Sequence, residues 1–253
     1  MSGILVPADL PGIGLAELLE LAALQTRIDR KYVLPRADAE RVLASLDRST
    51  RALEVDGIRA SQYESLYFDT DDLLSYRMAA LGRRRRFKLR TRSYLDSGAA
   101  YLELKTKGAR SATVKERLEY ELEHRDELTP EGAAYAAAPL GELGVPDPDR
   151  LRPTLVTRYR RETLYLPGTG SRATVDTDLA WEDADGAHLE LPGLAIVESK
   201  SAGAASELDR LLWSRGHRPV RVSKFGTGLA ALRPDLPSHK WNRVLRRHFA
   251  AAA

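Results

Sequence analysis

GRRRRFKLRTRSY, spanning Gly82–Tyr94, holds six arginines and one lysine in thirteen residues. In an extended strand, side chains alternate between faces. Arg86, Lys88, Arg90, Arg92 and Tyr94 then share one face of a strand within Arg83–Tyr94, and Phe87, Leu89 and Leu95 share the other with Thr91 and Ser93. The apolar residues anchor the strand to a core and leave four cations at ~7 Å intervals. Like charges that close call for counter-anions: carboxylates, water or a bound polyanion.

Other segments repeat the pattern. In YLELKTK, Tyr101, Glu103, Lys105 and Lys107 alternate with Leu102, Leu104 and Thr106. In VKERLEYEL, Lys115, Arg117, Glu119 and Glu121 alternate with Val114, Leu118, Tyr120 and Leu122. RIDRKYVL sets Arg27, Asp29 and Lys31 against Ile28, Tyr32 and Leu34, with Arg30 as the exception. Further strands are expected over 61–68, 155–165, 172–179, 189–191 and 194–200. Helices are expected over 15–24, 37–46, 71–80 (with Asp69 and Thr70 as caps), 204–215 and the end of 222–232, and a basic terminal helix over 238–249. Residues 1–14 read as an irregular leader. The alanine-rich and then proline- and glycine-rich segment 129–151 reads as a short helix and a loop crossing between two halves.

Sheets with one charged and one apolar face normally wet the charged one. With so many charged faces, closure into a barrel removes the open edges and gathers the charges in one lumen, helices covering the outside. Such a lumen favours phosphate chains, and carboxylates within it suit a divalent metal. The expected class is therefore α+β, an antiparallel barrel with surrounding helices, forming one domain over 1–253.

Composition narrows the alternatives. Of the 253 residues, 39 are Lys or Arg and 36 Asp or Glu, a net charge of +3, too balanced for a general nucleic-acid coat. Cysteine is absent, which excludes disulfides and thiolate metal sites and fits a reducing compartment. No basic segment followed by an apolar run marks a signal peptide, and no apolar run approaches the ~20 residues of a membrane span. A soluble, cytoplasmic protein is expected. Neither G-x-x-x-x-G-K-[ST] nor H-E-x-x-H occurs, and the histidines are scattered. Gly168-Thr-Gly170 and Gly226-Thr-Gly228 read as turn glycines. Aromatics do not interleave with the basic residues as stacking platforms, which argues against RNA.

Taken in order, RKY (Arg30–Tyr32), YFDT (Tyr67–Thr70), KLRTRSY (Lys88–Tyr94), LELKTK (Leu102–Lys107), VKER (Val114–Arg117), RYRRET (Arg158–Thr163), VDTDL (Val175–Leu179), IVESK (Ile196–Lys200) and SKF (Ser223–Phe225) resemble the VTC domain. This is the polyphosphate polymerase branch of the CYTH, or triphosphate tunnel metalloenzyme, superfamily. The resemblance covers about 26–232. It implies an eight-stranded antiparallel tunnel that binds triphosphate and a metal-dependent transfer of the ATP γ-phosphate to a growing polyphosphate chain. Lys31, Arg90, Arg92, Lys105, Lys115, Arg161 and Lys224 would be the catalytic cations, with Tyr159, Arg172, Ser223, Lys88 and Lys200 binding substrate. Glu198 would bind Mn²⁺ or Mg²⁺, with Glu103 as a second acid. The superfamily's first strand often reads Glu-x-Glu-x-Lys; Arg27, Asp29 and Lys31 stand there instead, which removes one acid. Relatives in membrane complexes carry accessory domains not visible here, so a membrane or protein partner stays open.

Structural readings compete with each assignment. Lys31, Lys105 and Lys115 can pair with Asp29, Glu103 and Glu119, and Glu198 with Lys200. Tyr159 can be core and Ser223 a helix cap. Hydrolysis of triphosphates in the same tunnel, or binding of polyphosphate without turnover, are the alternative functions.

Overall fold

The structure, a computed structural model, describes residues 3–22, 27–107, 113–145 and 148–249. Its strands are β1 (Gly12–Ile13), β2 (Ile28–Pro35), β3 (Arg51–Leu53), β4 (Ala60–Asp69), β5 (Arg86–Tyr94), β6 (Ala99–Lys107), β7 (Thr113–Tyr120), β8 (Arg152–Leu166), β9 (Ser171–Asp183), β10 (His188–Leu191) and β11 (Leu194–Ser201). Its helices are α1 (Leu15–Leu21), α2 (Arg36–Leu43), α3 (Leu74–Ala80), α4 (Pro130–Gly141), α5 (Glu207–Ser214) and α6 (Lys224–Leu232). The expected helix 15–24 ends at Leu21, and its last two residues lie outside the described ones. The short β1 and β3 pair with each other inside and beyond the expected leader. The terminal segment is a turn of helix, Asn242–Val244, followed by a π-turn over Leu245–Phe249, rather than one continuous helix. Buried Trp241 and Phe249 pin it down.

Backbone pairing follows the order β2-β11-β9-β8-β4-β5-β6-β7. The pairs β2–β11, β11–β9, β4–β5, β5–β6 and β6–β7 are antiparallel. The path ends on β2 and β7, so the expected closed barrel is corrected to an antiparallel sheet whose pairing path is open. The sequence of β7 suits an end strand: Lys115, Glu116, Arg117 and Glu119 put charge on both of its faces, which blocks further strand addition.

The chain divides into two compact units, Met1–Gln62 with Tyr159–Leu179 and Glu190–Val222, and Tyr63–Arg158 with Ala180–Leu189 and Ser223–Ala253. The segment 129–151 lies wholly within the second unit; the chain passes from the second unit to the first inside β8, between Arg158 and Tyr159. The expected crossing is therefore made by a strand.

In the first unit, Tyr32, Leu34, Ala173, Val175, Ala195 and Val197 turn one sheet face onto α2 and α5, through Val42, Leu43, Leu208 and Leu212. Arg30, the exception to the alternation of β2, also faces this side. It reaches Ser201 Oγ (3.0 Å) and Asp209 Oδ2 (3.3 Å). Asp209 is fully buried and accepts the Tyr32 hydroxyl at 2.6 Å, so the outlying cation neutralises a buried acid.

In the second unit, Leu66, Phe68, Phe87, Leu89, Leu102 and Leu104 form one apolar face under Ala136 and Leu140 of α4, with Leu118 packed against them. Thr129 caps α4 by accepting from Gly132 N at 3.1 Å, and Pro130 opens its first turn. Asp69 accepts from Ser75 N (2.7 Å) and Tyr76 N (2.9 Å), and Thr70 Oγ1 from Leu74 N (2.9 Å), so both expected caps serve α3.

Gly226 and Gly228 are helical, not turn, residues. A Cβ on Gly226 would meet the Trp241 ring and one on Gly228 the Trp181 ring. Gly228→Val is expected to lower stability by about 1–3 kcal/mol through overpacking. The check is the urea midpoint, which should fall with an unchanged slope; an unchanged midpoint would show that the ring moves aside freely.

Candidate functional site: two cationic strand faces

The second unit carries its charge on the face opposite the apolar one. Cross-strand register pairs Lys88 with Lys105, Arg90 with Glu103 and Lys105 with Lys115, so cations would stand side by side without an acid among them. Glu103 supplies it. Only 4% exposed, it binds Arg90 Nε (2.9 Å) and Nη2 (2.6 Å) through one oxygen and Lys115 Nζ (2.7 Å) through the other. Arg92 Nε stands 3.8 Å away. Burial opposes the charge of Glu103, but Arg90, Arg92 and Lys115 outweigh it and hold the carboxyl far below the usual range. Burial lowers Lys115, and Glu103 opposes that effect. Arg90 Nη1 also donates to the Tyr67 hydroxyl at 2.9 Å. Lys88 Nζ donates to Ser223 Oγ at 3.1 Å, while that same oxygen caps α6 by accepting from Gly226 N at 3.2 Å. Ser223 thus performs the structural role and sits beside a cation. Lys224 follows it as the first residue of α6.

The first unit repeats the logic with more acid. Lys31 lies opposite Glu198, which lies opposite Thr174; Asp29 lies opposite Lys200, which lies opposite Arg172. Glu198 meets Lys31 Nζ and Lys200 Nζ at 3.8 Å each, too long for hydrogen bonds. Burial works against its ionisation, yet Lys31, Lys200 and Arg161 pull the carboxyl down to about 2. Asp176, 1% exposed, takes Arg161 in a two-pronged pair, Nε–Oδ1 at 2.6 Å and Nη2–Oδ2 at 2.8 Å. The Arg161 guanidinium lies 5.2 Å from the centre of the buried Tyr159 ring. Burial, with Arg27 and Arg161 adding, disfavours the charge of Arg172.

Arg92 Nε, Arg172 Nε and Thr174 Oγ1 are among the buried polar atoms that make no hydrogen bond to another described residue.

Within each unit, the alternating faces bring together the residues expected to act together. Lys88, Arg90, Arg92, Lys105, Lys115 and Glu103 share one face, and Lys31, Arg172, Lys200 and Glu198 share another. Of the expected ion pairs, Lys200 takes Glu198, whereas Lys115 takes Glu103 rather than Glu119. Asp29 pairs with Arg27 at 3.0 Å rather than with Lys31, whose partner is Glu198. Tyr67 was not among the expected site residues; it stands on the β4 face opposite Leu66 and Phe68, across from Arg90.

Burial lowers Lys200 to about 8; Glu198 works against this, and Arg161 and Arg172 reinforce it. The folded value lies below the ordinary 10.5, so the charged ammonium opposes folding below pH 8. That penalty fades as pH rises from 8 towards 10.5. Urea unfolding at pH 7.5 and 10 is expected to show a gain in the wild type that Lys200→Met reduces. Equal gains in both would assign the pH dependence to other groups.

The chain belongs to the VTC-domain family, whose model matches residues 26–233. No curated protein matches the chain. Among solved structures it is similar to HpAC1 from Hippeastrum, described as an adenylyl cyclase candidate with a dominant triphosphatase activity. That match has 18% identity and a TM-score of 0.50, over 85% of this chain and all of that one. A conserved hypothetical protein from Pyrococcus furiosus matches at 14% identity and a TM-score of 0.38, over 75% of this chain and 88% of that one. The PH1012 protein from Pyrococcus horikoshii OT3 matches at 14% and 0.37, over 75% and 87%. No described helix is long and apolar enough to cross a membrane.

Proposed function

We propose that this chain is a metal-dependent phosphotransferase that builds polyphosphate from ATP. One observation supports it above the rest. Lys88, Arg90, Arg92, Lys105 and Lys115 crowd one strand face around the buried carboxylate Glu103, leaving the Arg92 Nε proton without an acceptor. A face with more cations than buried acid suits an anion with many oxygens, and a triphosphate supplies several per phosphate. In the first unit Lys31, Arg161, Arg172 and Lys200, with Tyr159, would bind phosphate in the same way. Ser223 and Lys224 would extend the contacts made by Lys88.

The carboxylates also bear on the metal. Asp176 spends both oxygens on Arg161, and Glu103 spends both on cations, so Glu103 serves as counter-ion in this reading. Glu198, with contacts only as close as 3.8 Å to its lysines, is the acid that would hold Mn²⁺ or Mg²⁺. Among the described residues no three His, Asp or Glu side chains are grouped to hold a metal. One carboxylate fits an ion that takes its other ligands from phosphate and water, as Mg²⁺ commonly does. When bound, the ion would spread the negative charge of the transferring phosphoryl group. The chain's own work is to hold the triphosphate in line and to neutralise its oxygens.

The test is to incubate the purified protein with ATP and Mn²⁺. A long polymer with ADP supports the proposal. Free phosphate alone makes the chain a hydrolase, and tight binding without nucleotide consumption makes it a polyphosphate-binding module.

A further inference from the structure

Tyr63, Tyr94 and Tyr101 cluster at one end of the cationic row of the second unit. Tyr63 and Tyr94 are cross-strand partners with ring centres 4.8 Å apart. Tyr94 and Tyr101 meet edge to face at 5.9 Å. Arginines flank the group: Arg92 lies 5.6 Å from the Tyr63 ring centre and Arg117 lies 4.8 Å from that of Tyr101. All three rings are half-buried. Along β5 the order on this face is therefore Tyr94, Arg92, Arg90, Lys88, an aromatic end followed by three cations at ~7 Å steps. Here tyrosines and arginines come together across strands rather than along any one of them.

Cross-strand tyrosines can serve the sheet alone. Two features go beyond that need. The rings keep exposed area, and the guanidinium groups of Arg92 and Arg117, on the same face as the cationic row, lie beside them. This is the arrangement that binds a base by stacking and its phosphates by charge, as in nucleic-acid sites. Resting on the phosphate reading of this face, we infer that Tyr63, Tyr94 and Tyr101 form a nucleobase subsite. The favoured ligand is then a nucleoside triphosphate, base on the tyrosines and phosphates running from Arg92 towards Lys88. Stacking tolerates any base, so ATP and GTP should bind alike.

The test compares ATP with inorganic tripolyphosphate by calorimetry, on wild type and on Tyr63→Leu with Tyr94→Leu, which keeps apolar bulk and removes the rings. Wild type should prefer ATP by roughly five- to a hundredfold, the value of one base stack. The leucine variant should bring that ratio to about one while binding tripolyphosphate as wild type does, which also shows that it folds. Tyr63→Phe with Tyr94→Phe should restore the preference. Wild type that binds both equally, or a leucine variant that keeps the preference, overturns the subsite and leaves the phosphate reading standing. Failure of wild type to bind either anion overturns the phosphate reading itself, and the subsite with it.

Discussion

Replacing Arg90 and Arg92 together by alanine is expected to weaken tripolyphosphate binding at least a hundredfold. Each guanidinium contributes roughly 1.5–3 kcal/mol through charge-assisted contacts, so the pair accounts for ~3–6 kcal/mol. The same change acts on the empty protein. Sequence alone shows a row of mutually repelling cations, whose thinning should relieve strain. The structure shows Glu103 beneath them, 4% exposed and held ionised by Arg90, Arg92 and Lys115. The double variant leaves that buried carboxylate with Lys115 alone, and stability at neutral pH should fall. The sign is fixed by linkage. Glu103 ionises more readily folded than unfolded, so its contribution is present above about pH 4.5 and is lost as pH falls below it. The variant should therefore lose less stability than wild type on acidification. Affinity retained with melting lowered would reduce both arginines to partners of Glu103.

Glu198→Gln is expected to cut metal-dependent turnover at least a hundredfold. A metal that stabilises the charge of the transferring group contributes several kcal/mol, and each 1.36 kcal/mol is tenfold in rate. Glutamine keeps the size and removes the anionic ligand. It also removes the counter-charge that Lys31 and Lys200 hold near 3.8 Å, so melting should drop while the circular dichroism spectrum is kept. Full activity in Glu198→Gln would move the metal to another acid, with Asp176, Asp178 or Glu103 next.

How far the sequence leads depends on parity. Strand alternation placed Arg90, Arg92, Lys105 and Lys115 opposite Phe87, Leu89, Leu102, Leu104 and Leu118, and the apolar set does form one core face. Parity orders a strand but says nothing of its neighbour's register. Hence Tyr94 and Tyr101 were read as separate residues, and their meeting with Tyr63 needed the pairing of β4, β5 and β6. Arg30 broke the pattern because its partner Asp209 lies far away on α5. The tryptophans that fill the space beside Gly226 and Gly228 come from distant segments, so those glycines looked like turns. Strands as short as Gly12–Ile13 carry too few residues for any period to show.

The central claim is that the cationic strand faces bind triphosphate, and a crystal structure soaked with a non-hydrolysable ATP analogue and Mn²⁺ tests it most directly. The account predicts phosphate oxygens on Arg90, Arg92 and Lys115, with Arg92 Nε donating to one of them. Phosphates bound elsewhere, with the Arg90–Glu103–Lys115 cluster unchanged and no ligand beside it, would contradict it.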